Sequence, residues 1–318
     1  MISWQEIQEE VAQAQPIHQS GAIDFVRRKA YSDFVEISGR PLLVYATAFQ
    51  HPFKGGNFGG LMSIDLTDKD GFAEIIDSVQ GRKIDILIHS PGGSPEATES
   101  IVDMLRAHFN DVRFIVTGTA KSAATMLCMS GNNILVSTAG ELGPIDPQVN
   151  MGGSFAPAGS LKEEFQKAAQ EISEDPEKLP VWLPILEKYP PALLIQCDNF
   201  IQLGKDLVTK WLKSYMFKGD PDKKEKAAKI AEYLADEKNS LSHARRIDAK
   251  TLERLGVKLE RVERQSTAFQ EALRKVHLCI ALTLDGTDAV KIYENSDGKA
   301  FIRQINLMPQ QIVNPMPQ

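Results

Sequence analysis

Apolar positions from residue 41 onward alternate between two periods. "PLLVYATAF" (41–49) is a continuous apolar run of strand length, and "KIDILIH" (83–89), "VRFIVTG" (112–118) and "NILVST" (133–138) repeat that signature. Between them, "DKDGFAEIIDSV" (68–79) sets Phe72, Ile75, Ile76 and Val79 on one helical face. "PEATESIVDMLRAHF" (95–109) does the same with Ile101, Leu105 and Phe109. A further strand is predicted at "LMSIDL" (61–66), after the glycine-rich "GGNFGG". A short helix is predicted at "SAATMLCMS" (122–130), with Gly131 placed to cap it. Strands and helices alternating at these lengths predict parallel pairing through right-handed crossovers.

The rhythm changes on both sides of this stretch. Residues 1–32 read as a helical lead-in, with Trp4, Ile7, Val11, Ile23, Phe25 and Val26 supplying apolar contacts. After the small-residue loop 151–160, helical runs are predicted at 161–172, 199–216, 221–236 and 248–257, punctuated by Pro176, Pro180, Pro184, Pro190 and Pro191. The C-terminal stretch reads as strands, "HLCIALTL" (277–284) and "AVKIYEN" (289–295), around "DGTD", followed by a Pro/Gln tail expected to fray. The predicted organisation is therefore a lead-in and core over 1–150, a helical insertion over 151–240, a return to the core over 241–264, and a C-terminal β extension with its tail over 265–318.

Composition narrows the function classes. With 42% hydrophobic and 25% charged residues, the 318-residue chain can bury a substantial core. A net charge of −6 argues against a nucleic-acid partner held by phosphate neutralisation. The three cysteines, Cys128, Cys197 and Cys279, are odd in number and without metal-ligand spacing, so neither a disulfide framework nor a metal site is expected. The polar N-terminus has no apolar signal core, and no run approaches a membrane span. A soluble, cytoplasmic protein that needs no cofactor is the expectation.

Chemistry is suggested at two strand-to-helix junctions. The strand "ILIH" runs into Ser90-Pro91-Gly92-Gly93 and then a helix start. Paired glycines there form either a plain tight turn or a place where backbone N–H groups face a cleft and can hold a developing oxyanion. Ser122 follows the next strand and opens a helix of small residues. It is either an N-cap or a nucleophile beside the N–H of Ala123. Adjacent parallel strands bring their C-terminal ends together, at the edge where open α/β sheets build sites. A hydroxyl beside two convergent N–H groups is the core of an acyl-transfer site.

The pair "ILIHSPGGSPEATESIVDML" and "TAKSAATMLCMSGNNILVSTAGELGPIDPQ" resembles the Clp-protease and signal-peptide-peptidase clan of serine peptidases, and within it the "serine dehydrogenase proteinase" family. The resemblance covers about residues 40–150 and a block at 240–257. It implies the ββα spiral shared by ClpP-like and crotonase-like proteins, built on a parallel sheet. It also implies Ser122 as nucleophile and the N–H groups of Gly93 and Ala123, beside Gly92, as oxyanion hole. Clan members typically assemble to enclose their sites, so a homo-oligomer acting on peptide or protein substrates is implied as well.

The base and its orienting acid are less direct. "NSLSHARRIDAKTLERLGVKLE" is similar to the late block of the clan, where a catalytic residue precedes a short helix and a turn, here Leu255-Gly256-Val257. That block places His243 as base. The Clp-type pattern has its histidine soon after the nucleophile and an aspartate late. Here "PIDPQ" supplies Asp146 in the early place, so acid and base have exchanged positions. The other reading makes His243 a solvated loop residue beside Arg245 and Arg246, and Asp146 a turn former. His89 reads as packing beneath the glycine turn, His108 as exposed, and His277 as the start of a strand. Lys121, matching the lysine base of signal-peptide peptidases, is next to Ser122 where neighbouring side chains diverge.

The expected protein is a serine peptidase with Ser122, His243 and Asp146 as catalytic residues. Two rivals remain at this level: a crotonase-like acyl-CoA enzyme, against which stands the absence of a pattern for CoA phosphates, and an inactive scaffold of the same fold.

Overall fold

A computed structural model describes residues 2–305; the Pro/Gln tail beyond them lies outside the described residues. Two helices open the chain, α1 (Trp4–His18) and α2 (Ala22–Ser38). Ser3 and Glu6 close a reciprocal capping box on α1. The core then runs β1 (Leu42–Thr47), α3 (Pro52–Phe58), α4 (Asp68–Ile76), β2 (Lys83–His89), α5 (Pro95–His108), β3 (Asp111–Val116), β4 (Thr119–Ala120), α6 (Ala123–Met129), β5 (Asn133–Val136) and β6 (Glu141–Leu142). A small hairpin, β7 (Gln148–Asn150) and β8 (Phe155–Pro157), precedes the helices α7 (Ala158–Glu174), α8 (Leu179–Leu186), α9 (Leu193–Trp211), α10 (Lys223–Ala235), α11 (Glu237–Ser240) and α12 (Ala249–Leu255). Strand β9 (Leu259–Arg261), helix α13 (Thr267–Gly286) and the hairpin β10 (Ala289–Asn295) and β11 (Ala300–Gln304) complete the described chain.

The principal sheet has the order β11-β10-β1-β2-β3-β5-β9. Its five core strands, β1, β2, β3, β5 and β9, are parallel, and β10 joins β1 antiparallel. Every residue of β1 is buried, because both faces are covered. Leu43 and Tyr45 point into one core layer with α4, α5, α6, α9 and α10; Leu42, Val44 and Ala46 point into the other, formed with α2 and α13. The mixed α/β architecture with a largely parallel sheet is the one expected from the alternation of periods.

A second, smaller row of paired segments stands beside the C-terminal ends of the main strands. Ile64 bridges Gly93, Ser90 bridges Ala120, β4 pairs with β6, and Leu142 of β6 bridges Ile247. These short pairings hold the region from which the candidate site is built.

Two predicted strands are corrected. Segment 61–66 has the buried positions of a strand at Met62 and Ile64, but residues Gly59–Met62 coil into a 3₁₀ turn and only Ile64 pairs. Segment 277–284 lies inside α13. Phe269, Leu273, Val276, Ile280 and Leu284 recur at helical spacing on its buried side, a period that the short run 277–284 is too brief to display. The stretch 151–240 also divides by packing. Leu207, Val208, Trp211, Ile230 and Leu234 belong to the main core, whereas Leu161, Leu193 and Cys197 form a small cluster of their own.

Candidate active site

Ser122 connects β4 to α6 with φ 50° and ψ −123°. A residue with a Cβ is strained there, at a cost on the order of 1–3 kcal/mol, and such strain collects at functional sites. The turn is sharp enough that the hydroxyl makes no capping bond to the helix it precedes. The plain N-cap reading is therefore wrong. Ala123 is the first residue of α6, so its N–H has no acceptor within the helix. Thr125 locks the turn from behind: its hydroxyl donates to the Ala120 carbonyl at 2.7 Å and accepts from the Gly143 N–H at 3.0 Å.

The glycine junction touches this turn. A Cβ on Gly92, whose φ is +96°, would come within 2.7 Å of the Ser122 Cβ and 2.8 Å of the Ala123 nitrogen. Only glycine allows the two junctions to approach so closely. The Gly92 N–H donates to the Ser90 hydroxyl at 3.2 Å, so its contribution is room rather than a free donor. Gly93 (φ +153°) differs. Ile64 N–H donates to the Gly92 carbonyl at 2.7 Å and Ser94 N–H donates to the Ile64 carbonyl at 2.8 Å. That parallel bridge leaves the Gly93 N–H directed away from Ile64.

Ile64 is held by a buried ionic group. Lys291 Nζ donates to the Ser63 carbonyl at 2.7 Å and to Asp68 at 2.5 Å, while Asp68 also accepts from Tyr45, Tyr293 and the Asp65 N–H. Burial and the Asp68 charge push both phenols well above their ordinary pKa, so they remain donors to the carboxylate. The register of the Gly93 strand thus depends on residues that carry no chemistry themselves.

Asp146 and His243, 97 residues apart, meet: His243 Nδ1 lies 2.9 Å from Asp146 Oδ1. The carboxylate is 1% exposed, and its second oxygen accepts from Gln148 Nε2 at 2.6 Å. A neutral imidazole paired this way carries its proton on Nδ1 and keeps the Nε2 lone pair free. Both residues are tied to the Ser122 turn by the second row of pairings: Asp146 follows β6, which pairs with β4, and His243 lies four residues before Ile247, which bridges Leu142.

The competing bases have other partners. Lys121 is buried, with its Nζ 3.0 Å from Glu141 on the neighbouring strand, an ion pair whose angles do not make a hydrogen bond. His89 Nδ1 accepts from the Thr119 N–H at 3.1 Å on the opposite face of the sheet. His277 pairs with the Thr117 hydroxyl inside α13, and His108, half-buried rather than exposed, contacts the Val79 carbonyl. His51 caps α3, and His18 stacks on Phe25.

Sequence reasoning passed over Gln148, Thr125, Ser90 and the Asp68–Lys291 group. A signal existed for two of them: Gln148 stands two residues after Asp146, and Thr125 is the one hydrogen-bonding side chain within the apolar stretch of α6. Nothing local marked the others.

A family model described as ClpP-like SDH-type serine proteinase matches residues 62–269. The chain belongs to that family. Gly92, Gly93, Ser122, Asp146 and His243 all lie within the matched span. Among curated proteins, two uncharacterised proteins of Methanocaldococcus jannaschii are similar to this proteinase-family chain. One is 32% identical over 93 residues, which is 29% of this chain and 32% of the relative; the other is 29% identical over 92 residues, 29% of this chain and 30% of the relative. The chain thus spans about a third of the length of the curated relatives it matches. Among solved structures, it is similar to the 1510-N membrane-bound stomatin-specific protease. A serine-to-alanine mutant of that protease is 16% identical, with a TM-score of 0.40, over 67% of this chain and 79% of the other. A lysine-to-alanine mutant in complex with a substrate peptide is 17% identical, with a TM-score of 0.39, over 62% and 70%. Among the described residues of this family member, no helix is long and apolar enough to cross a membrane.

Proposed function

We propose that the chain is a serine peptidase in which Ser122, His243 and Asp146 act together and the N–H groups of Gly93 and Ala123 form the oxyanion hole. The reading rests on one observation above the rest: the Asp146–His243 hydrogen bond, formed on the same short row of pairings that carries Ser122 and Gly93. In the proposed reaction Ser122 Oγ attacks a peptide carbonyl while His243 Nε2 takes its proton. Asp146 holds the imidazole in the required tautomer and balances the charge it gains. The carbonyl oxygen becomes an oxyanion facing the two N–H groups and the positive end of α6. Collapse expels the amine, which takes the proton from His243, and water then hydrolyses the acyl ester on Ser122 by the same route.

Incubation with a fluorophosphonate probe tests the reading. Labelling mapped to Ser122 supports it. An unlabelled, folded protein would exclude an activated serine and leave the crotonase-like or inactive alternatives.

Gly93→Ala checks the oxyanion hole separately. An alanine Cβ would sit 2.2 Å from the Ile64 carbonyl oxygen and 2.4 Å from its nitrogen, so one of the two backbones must move. The N–H would leave its position, and loss of one such donor costs about 10²–10³ in rate. Peptide turnover measured beside circular dichroism should show that loss in a protein that remains folded.

Self-association is part of the proposal, through apolar side chains that the main core leaves uncovered. Leu207, Val208, Trp211, Leu212 and Met216 of the α9 region are buried within this chain. Exposed large apolar side chains include Leu179, Val181, Leu183 and Ile185 on α8, and Ile195 and Phe200 on α9. In the proposal, these side chains supply the docking face for a second copy. Sedimentation at micromolar concentration should give a mass above the 35.2 kDa of one chain. Val181→Glu with Leu183→Glu should return it to the monomer.

A further inference from the structure

Helix α7 begins without a cap of its own. Pro157 holds the N-cap position and makes no side-chain bond to the helix, and the first turn contains no acidic residue. The first N–H groups of a helix have no acceptor within it, so partners must come from elsewhere. Two segments supply them. The Ala158 N–H donates to the carbonyl of Pro147, the residue after Asp146, at 2.9 Å. The Ser160 hydroxyl donates to Glu237 Oε1 at 2.9 Å, and the Gly159 N–H stabilises the same carboxylate. Consecutive residues of α7 therefore hold the segment that carries Asp146 and the segment that leads to His243.

Glu237 opens α11, a single turn of four residues that cannot fix its own direction. The Glu237 carbonyl accepts from the Leu241 N–H at 2.7 Å and from the Ser240 hydroxyl at 3.2 Å. The Ser240 carbonyl in turn accepts from Arg245 Nη1 at 3.2 Å, which closes the loop that contains His243. Leu241, two residues before the imidazole, has φ 62°, a left-handed conformation that a residue with a Cβ keeps only when its surroundings impose it. The contact between α7 and Glu237 is close. A Cβ on Gly159 would come within 2.6 Å of Glu237 Cδ and Oε1. Burial first, then the charges of Asp146 and Glu163, raise the Glu237 pKa above the ordinary glutamate value; the Ser160 hydroxyl and the Gly159 N–H oppose that rise.

We infer that Glu237 is a positioning residue for the proposed reaction: by capping α7 it fixes α11, and through α11 it fixes the place of His243 against Asp146. The inference rests on the reading of His243 as the base.

Glu237→Ala, Glu237→Gln and Gly159→Ala, each made in the full-length protein, test it by two readouts. The first is the rate of Ser122 modification by a fluorophosphonate, resolved into a limiting rate and a half-saturating probe concentration. The second is the NMR signal of the His243 Nδ1–H bonded to Asp146, which needs no activity. Glu237→Ala should lower the limiting rate about tenfold to a hundredfold, the scale of a misplacement near 1 Å. The half-saturating concentration should stay unchanged, and the Nδ1–H signal should broaden or vanish. Glu237→Gln keeps an acceptor for Ser160 and should restore most of both. Gly159→Ala pushes the carboxylate aside and should reproduce Glu237→Ala. Combined with Glu237→Ala it should add nothing, because both remove one interaction. A limiting rate or an Nδ1–H signal that stays at the wild-type level in Glu237→Ala would overturn the inference. So would a Glu237→Gln protein as impaired as Glu237→Ala. Should Glu237→Ala fail to fold, Gly159→Ala decides on the same two readouts, since only the end of a flexible side chain must move to admit it. Failure of the serine peptidase reading looks different: the wild-type protein would go unlabelled, or His243→Ala would be labelled at the wild-type rate. The Nδ1–H signal alone then decides whether Glu237 positions His243.

Discussion

Ser122→Ala should abolish peptide hydrolysis and fluorophosphonate labelling, with a loss on the order of 10⁶ in kcat, the scale seen when a triad nucleophile is removed. The substitution is mild for the fold. The hydroxyl caps nothing, so no helix bond is lost, and alanine can occupy the same turn. The strain remains in the variant because it belongs to φ, not to the hydroxyl. Thermal unfolding should therefore change little while activity disappears. Turnover near the wild-type level in Ser122→Ala would refute the serine mechanism outright.

His243→Ala should lose nearly as much, since members of a triad act as a unit. Its removal also strips Asp146 of one of the two bonds that hold its buried carboxylate, leaving Gln148 alone. Asp146→Asn removes the negative charge and favours the wrong imidazole tautomer, an effect worth about 10⁴ in a worked triad. The ordering His243→Ala at or below Asp146→Asn, measured as kcat, distinguishes base from orienting acid. If His243→Ala kept wild-type turnover, the base would have to be sought elsewhere.

The two exchanged residues illustrate how much of the site could be read from the chain. Gly92, Gly93 and Ser122 were legible because a strand-to-helix junction is a local event: period, turn glycines and helix start stand within a dozen letters. Asp146 and His243 were reached only through resemblance. Their spacing of 97 residues carries no periodic signal, and each alone is an ordinary loop residue.

The sequence by itself determined the alternation of strands and helices, the parallel core and the glycine and serine junctions. Those features follow from local sterics and from side-chain period, which records how many faces of an element are buried. Tertiary structure alone decided what covers each face. It made 267–286 a helix packed between α2 and the sheet, because a run apolar on every side fits a buried helix as readily as a strand. It reduced 61–66 to one bridging residue, held in place by Lys291 from the far end of the chain. It set Ser122 at φ 50°, a conformation that its own residue type disfavours and only the surrounding pairings impose. It also brought His51, His89 and His277 onto the wall of one open pocket, a meeting of three distant segments for which local physics leaves no trace in the order of residues.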